Sequence, residues 1–178
     1  NAAIAAWPDL VIPYSARATV YMRLKDYARA GADLEQAMRV DPKAWGPVVQ
    51  RAELRRVHRD NTGALSDYET ALGLSGDRFP GRRIILAGRA SYRFDMGDIP
   101  RAIADTDLIL ASTPDDADAL NQRCWFRALA NVDLELALAD CDRAVKLRPA
   151  VAAYVDSRGM VRFRRGEFAL AIADFDRA

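Results

Sequence analysis

Histidine, cysteine and lysine are scarce in this chain. His58 is the sole histidine, Cys124 and Cys141 are the only cysteines, and just three of the 26 basic residues are lysine. Two thiolates without a nearby histidine cannot fill the four positions of a zinc site. A single histidine with no oriented partner or nucleophile beside it is a poor general base, and helix-end placement explains it better. Charge of one sign is not in excess: 26 basic against 25 acidic residues leave +1, which gives no general reason to expect nucleic acid or an anionic membrane as partner. Long apolar runs are missing, so no stretch reaches the roughly 18–20 residues of a membrane span, and no basic-then-apolar leader opens the chain. The first residue is Asn1 rather than Met, which leaves open a leader already removed. Glycine-rich phosphate loops, GxSxG elbows and HExxH helices do not occur. Strictly alternating Val, Ile and Thr are also rare, so a sheet finds little support.

What is present is alanine, 33 residues in 178, in a chain that is 51% hydrophobic. Alanine has the highest helix propensity and the small side chain that close helix packing needs. Its placement is periodic. Ala30-Asp33-Ala37, Ala64-Asp67-Ala71, Ala102-Asp105-Ile109, Ala137-Asp140-Ala144 and Ala171-Asp174-Ala178 share one spacing, and successive first alanines lie 34, 38, 35 and 34 residues apart. Twelve residues upstream of each first alanine stand Ala18, Ala52, Ala90 and Gly159, with Trp125 the exception. Five residues upstream lies a turn with an acidic residue suited to a helix N-terminus: Lys25-Asp26, Arg59-Asp60, Gly97-Asp98, Val132-Asp133 and Gly166-Glu167. Pro100 fits the first turn of a helix, and Pro42, Pro114 and Pro149 close their units. Each unit therefore reads as two antiparallel helices, with helices expected at 13–25, 28–40, 46–58, 62–74, 82–96, 99–112, 116–130, 133–147, 151–164 and 167–178.

A unit of about 34 residues with small residues at the helix contact and a closing proline resembles the tetratricopeptide repeat. The resemblance implies an all-α, right-handed superhelical solenoid of antiparallel helix pairs. A lead-in of residues 1–10 would precede one domain, 11–178, of five repeats at 11–44, 45–82, 83–117, 118–151 and 152–178. The family's early aromatic position is weak here, occupied by Tyr14, Val48, Leu86, Asn121 and Val155. Residues 75–82 hold four extra positions and read as a longer loop. Such solenoids usually end in a polar capping helix, whereas Ala178 falls inside the tenth helix, so a truncated or processed chain, or a partner covering that end, is expected.

Arg17, Arg51, Arg89 and Arg158 precede Asp33, Asp67, Asp105 and Asp174 by sixteen residues. An arginine ladder for anions is one reading. An Arg–Asp pair within each repeat, fixing helix registration, is favoured, because the pair recurs as a unit. In the fourth repeat Cys124 stands where the arginine is expected, and Cys141 takes the position of Tyr68 and Phe175. The two cysteines could face each other across the helix pair and close a disulfide, which would imply an oxidising compartment such as a periplasm. The bridge is favoured, because both substitutions fall in one unit at opposed positions; two reduced buried thiols, with a cytoplasmic location, are the alternative. Asp115, Asp116 and Asp118 lack calcium-loop spacing and fit helix capping. Arg162-Phe163-Arg164-Arg165 is too isolated a run to indicate nucleic acid.

Family geometry assigns the inner surface to positions that hold Met22, Glu53, Arg56, Phe94, Gln122, Phe126, Leu129, Asp156, Met160 and Phe163. From the third repeat onward this surface is expected to be apolar and to take an amphipathic helix or peptide of a partner. Carboxylate-clamp positions of the family hold Ser15, Thr19, Gln50, Ile84 and Gly88, so that mode of peptide capture is not supported. The sequence therefore points to a non-catalytic protein-interaction scaffold needing no metal or cofactor, with protein or peptide partners. Self-assembly and a regulatory or spacer segment of a larger enzyme are the alternatives. The arginine- and alanine-rich, lysine-poor composition suggests a GC-rich bacterial source.

Overall fold

A computed structural model describes residue 4 and residues 6–76 and 81–178. From Val11 onward its elements are helices in sequence: α1 Val11–Arg23, α2 Tyr27–Val40, α3 Trp45–Val57, α4 Asn61–Ser75, α5 Gly81–Asp95, α6 Ile99–Ser112, α7 Ala117–Ala130, α8 Leu134–Leu147, α9 Ala152–Arg164 and α10 Phe168–Arg177. The ten expected segments are all helical, and no strand occurs among the described residues. The expected long loop lies partly, at residues 77–80, outside the described residues, as does much of the lead-in. The chain divides into two compact units, Asn1–Ile85 and Leu86–Ala178.

In the first unit α1 pairs with α2, α3 pairs with α4, and α3 packs on both α1 and α2. In the second unit α7 pairs with α8, α9 pairs with α10, and α9 also packs on α7 and α8. The first alanine of every repeat is buried, at 0–1% exposure, which is where the two helices of a pair touch. Gly159 shows how close they come: a Cβ there would stand 2.7 Å from a ring carbon of Phe175. Three of the acidic turn residues cap as their position suggests. The backbone N–H groups of Arg29, Gly63 and Arg101 donate to Asp26, Asp60 and Asp98, a contact worth about 1 kcal/mol in such helices. Asp116 accepts in the same way from Ala119 at 3.0 Å.

Each helix pair is pinned by a buried carboxylate. Asp33, Asp67, Asp105 and Asp174 receive two hydrogen bonds of 2.6–3.0 Å from Arg17, Arg51, Arg89 and Arg158. The five repeat aspartates are 1–7% exposed. The intra-repeat pair thus accounts for these arginines. A second arginine reaches four of the carboxylates: Arg55 to Asp67, Arg93 to Asp105, Arg127 to Asp140 and Arg162 to Asp174, at 2.6–2.9 Å. In the first repeat Tyr21 takes that second position, with Arg17 5.8 Å from its ring centre.

The fourth repeat corrects one reading. Cys124 does not replace the arginine: Arg123 binds Asp140 through two hydrogen bonds of 2.8 and 2.6 Å. The cause is one extra residue in the turn. Asn131 closes α7 in the left-handed conformation, with Val132 N–H on Arg127 O, and Asp133 adds a second left-handed residue before α8. Asp133 consequently makes no side-chain cap. Everything on α7 lies one residue upstream of its counted position, so Cys124 is the small residue of the helix contact and buried Leu120, not Asn121, takes the early core position. Cys124 and Cys141 meet there as a disulfide, with Cα atoms 5.6 Å apart and both residues fully buried.

Replacing Asp105 with alanine should cost about 3–5 kcal/mol in chemical denaturation, since the buried Arg89 and the half-buried Arg93 both lose their partner. Asp98→Ala, which removes only a cap, should cost about 1 kcal/mol. Replacing both cysteines with serine should lower the unfolding free energy by about 3 kcal/mol, the loop-closure contribution for a bridge of this span; an unchanged midpoint would show that the bridge adds nothing.

Candidate functional site

An open groove lies in the first unit, on the faces of α1 and α3. Val11, Ile12, Ser15, Ala16 and Thr19 form one wall, Ala44 to Pro47 with Val49 and Gln50 the other, and Ile84 closes one end. It encloses about 550 Å³. A second section of about 390 Å³ shares Thr19, Val49 and Gln50 and continues past Met22, Arg23 and Glu53. The sequence explains the space. Where helix faces meet, large side chains interdigitate and fill the gap; Ser15, Ala16, Thr19, Ala44 and Gly46 are too small to do so. The wall is held by Trp45, whose ring lies so close to Gly81 that a Cβ there would be 3.0 Å from it.

α1 and α3 are latched by Gln50. Its Nε2 donates to Ser15 O at 3.2 Å and to Thr19 Oγ1 at 2.9 Å. Gln122 makes the same latch in the second unit, to Ala87 O at 3.0 Å and Ser91 Oγ at 2.8 Å. No charged side chain lines the larger section. Charge appears only at the far end, where Arg56 pairs with Glu53 at 3.4 Å and Tyr68 donates its hydroxyl proton to Glu53.

The structure divides the expected inner-surface residues. Met22 and Glu53 line the groove, and Arg56 flanks it. Phe126 does not: it is 3% exposed, in a cluster with Ala90 and Ala102. The extra turn residue puts it at the position of Leu54 and Val161, which are core in their repeats. Phe94 stacks on it with ring centres 4.5 Å apart. Met160 packs on the disulfide cluster, Leu129 is half-buried, and Gln122 serves as the latch. Asp156 and Phe163 remain exposed, Phe163 edge-on to Phe168 at 5.9 Å. Of the five apolar residues expected on this surface from the third repeat onward, Phe126 is buried, Phe94, Leu129 and Met160 are half-buried, and Phe163 is exposed. The sequence signal of the groove is its run of small residues rather than any large apolar ones.

The remaining chemistry is structural. His58 caps the C-terminus of α3 and meets Tyr27 edge-on. Hydrogen bonds to Asp33, Asp67 and Asp174 raise the pKa of Arg17, Arg51 and Arg158 above the ordinary arginine range. Burial, followed by its hydrogen bond to Asp118, pushes Tyr154 up to about 12. Arg162 is bound by Asp174 and Arg165 by Glu167. Among the described residues no group of three or more His, Cys, Asp or Glu is placed to hold a metal, and no helix is long and apolar enough to cross a membrane.

Comparison with known proteins adds a frame. The tetratricopeptide repeat family model matches residues 13–44. No curated protein sequence matches the chain. Among solved structures it is similar to a tetratricopeptide repeat protein from Parabacteroides merdae, at 19% identity and a TM-score of 0.74, over 94% of this chain and 64% of that one. The chain thus spans less than two thirds of that relative's length. It is also similar to BtubC from P. vanneervenii, at 18% identity and a TM-score of 0.80, over 92% and 76% of the two chains. YrrB, described as a TPR protein with an unusual peptide-binding site, matches at 17% identity and a TM-score of 0.65, over 98% and 87%. At these identities the likeness carries the fold.

Phe126→Ala should cost about 3–5 kcal/mol in urea denaturation, while Phe163→Ala, at an exposed site, should cost under about 1 kcal/mol. Equal losses would contradict the division between core and surface.

Proposed function

Because the chain carries a tetratricopeptide repeat at residues 13–44 and the tetratricopeptide fold over nearly its whole length, we propose that it is a non-catalytic scaffold that binds a segment of a partner protein in the groove between α1 and α3. The observation that carries this reading is the groove itself, about 550 Å³ of open, apolar-lined space with no charged side chain in its wall. Apolar concavity of this kind is the usual form of a recognition site, with a few polar groups fixing orientation.

The chemistry follows from the lining. Val11, Ile12, Val49 and Ile84 offer aliphatic surface, and Ile12 is 77% exposed. Covering such surface releases water and supplies affinity at about 25 cal/mol per Å² before the costs of association. Glu53, Arg56 and Arg23 at the far end can orient the segment through charge without contributing much binding energy. Small residues on the floor allow a partner backbone to come close. This reading gives Met22, Glu53 and Arg56 a place at the site and leaves the second unit's Phe94, Phe126 and Met160 to packing.

The test is a selection of random-sequence displayed peptides on the whole chain. Peptides recovered on the unaltered protein should lose binding by about tenfold or more when Ile12 or Val49 becomes glutamate, equivalent to about 1.4 kcal/mol. Phe163→Ser should leave their affinity unchanged. Peptides that ignore the Val49→Glu change and respond to Phe163→Ser would move the site out of the groove.

A further inference from the structure

Within each unit, the later first helix presses one apolar side chain onto the repeat that precedes it. Leu54 packs with Ala18 and Leu34, Phe126 with Ala90 and Ala102, and Val161 with Cys124, Ala128, Ala137 and Cys141. The receiving surface is equally regular. It joins the small residue of the preceding first helix to positions on the second helix, one and four places after the first alanine. Leu34, Thr106 and Cys141, four places on, are fully buried. Gly31, Ile103 and Leu138, one place on, are half-buried. A Cβ on Gly31 would lie 3.5 Å from a side-chain carbon of Leu54, and Ile103 and Leu138 pack on the clusters of Phe126 and Val161.

The first and fifth repeats present the two halves of this contact to solvent. The knob position of α1 is Val20, 53% exposed, against 0–8% for Leu54, Phe126 and Val161. The receiving positions of α10 are Ile172, 59% exposed, and Phe175, which lies against Gly159 and is itself exposed. Stacked repeats bury such faces against a neighbour, and exposed apolar surface that recurs at a packing position marks an interaction site.

Charge follows the same pattern. Arg123 reaches Asp107 and Arg158 reaches Asp142, each time an acidic residue sixteen places back and five places after the first alanine of the preceding repeat. Glu35 and Arg51 hold the same two places and attract one another. The acidic series continues to Asp176, exposed on α10, and Arg17 holds the arginine place on α1. Neither Arg17 nor Val20 lines the groove between α1 and α3.

We infer that the Arg17–Val20 face of α1 docks on the α9–α10 pair of a second copy of this chain, with Val20 seated at Ile172 and Phe175 and Arg17 set against Asp176. The occupant is a second copy because the knob, its seat and both charges belong to this one sequence, at the spacing by which its own repeats join. The contact joins unlike faces, so each added copy leaves one of each open and assembly continues head to tail beyond a dimer. This surface is separate from the groove of the proposed function and does not depend on it.

The test is sedimentation velocity on the whole chain over a wide range of concentration. The average mass should rise past two chains as concentration increases. Val20→Glu and Ile172→Glu, both at exposed sites where the fold tolerates change, should each weaken association about tenfold or more while circular dichroism stays that of the unaltered chain. Mixed where each alone is monomeric, the two variants should form a dimer and nothing longer, because one supplies an intact α1 and the other an intact α10. Asp176→Arg, which sets a second arginine against Arg17, should weaken association about fivefold. A mass of one chain at every concentration, assembly that survives either glutamate, a mixture that stays monomeric, or association tightened by Asp176→Arg would overturn the inference.

Discussion

The structure depends on a carboxylate that has been taken out of water. In each repeat an aspartate on the second helix sits at the helix contact and is gripped by arginine from the first, two hydrogen bonds to a side. Such a pair adds little net stability over an apolar contact of the same shape, because desolvating both charges consumes most of their attraction. Its value lies in geometry. The planar fork of arginine fits a carboxylate in one way, so the pair fixes how far one helix may slide along the other. An alanine-rich contact between smooth helices would otherwise tolerate more than one register. Links between successive repeats extend the same device: Arg123 also reaches Asp107, and Arg158 also reaches Asp142 at 3.0 Å.

Most of this frame was legible in the sequence because it is encoded by spacing. The alanines, the aspartates and their arginines recur at fixed intervals, and the helices fall within a residue or two of the segments they define. The second arginine, at Arg55, Arg93, Arg127 and Arg162, is just as regular but escaped notice, since the first already accounted for the carboxylate. The fourth repeat was misread by one position. Its extra residue lies in the turn at Asn131 to Asp133, and counting back from Ala137 carried the error through all of α7. The clue was the spacing of 35 rather than 34 from Ala102 to Ala137. Residues assigned to the surface on that count, Phe126 above all, belong to the core for the same reason that Leu54 and Val161 do.

The proposed site was less legible than the fold, because the groove is made by omission. Large side chains on neighbouring first helices pack against one another, as Phe94 and Phe126 do at the positions that Met22 and Leu54 hold in the first unit. Small ones leave open space. A search for conspicuous apolar residues therefore finds the filled places, and the open one is found only when Ser15, Ala16, Thr19, Ala44 and Gly46 are read together as missing volume. Burial cannot be inferred from hydrophobicity alone on a repeat surface: it depends on what the next repeat supplies.

Repeats that share their registering contacts can still differ in the side chains placed between them. The Arg–Asp grip, the alanine contact and the glutamine latch are common to both units and hold the first helices at set positions whatever lies between them. The residues between are then free to vary in size without loss of registration. Where they are aromatic, Phe126 becomes core and Phe94 stacks half-buried upon it. Where they are small, as at Ser15, Ala16 and Thr19, the groove of the first unit stands open beside the latch.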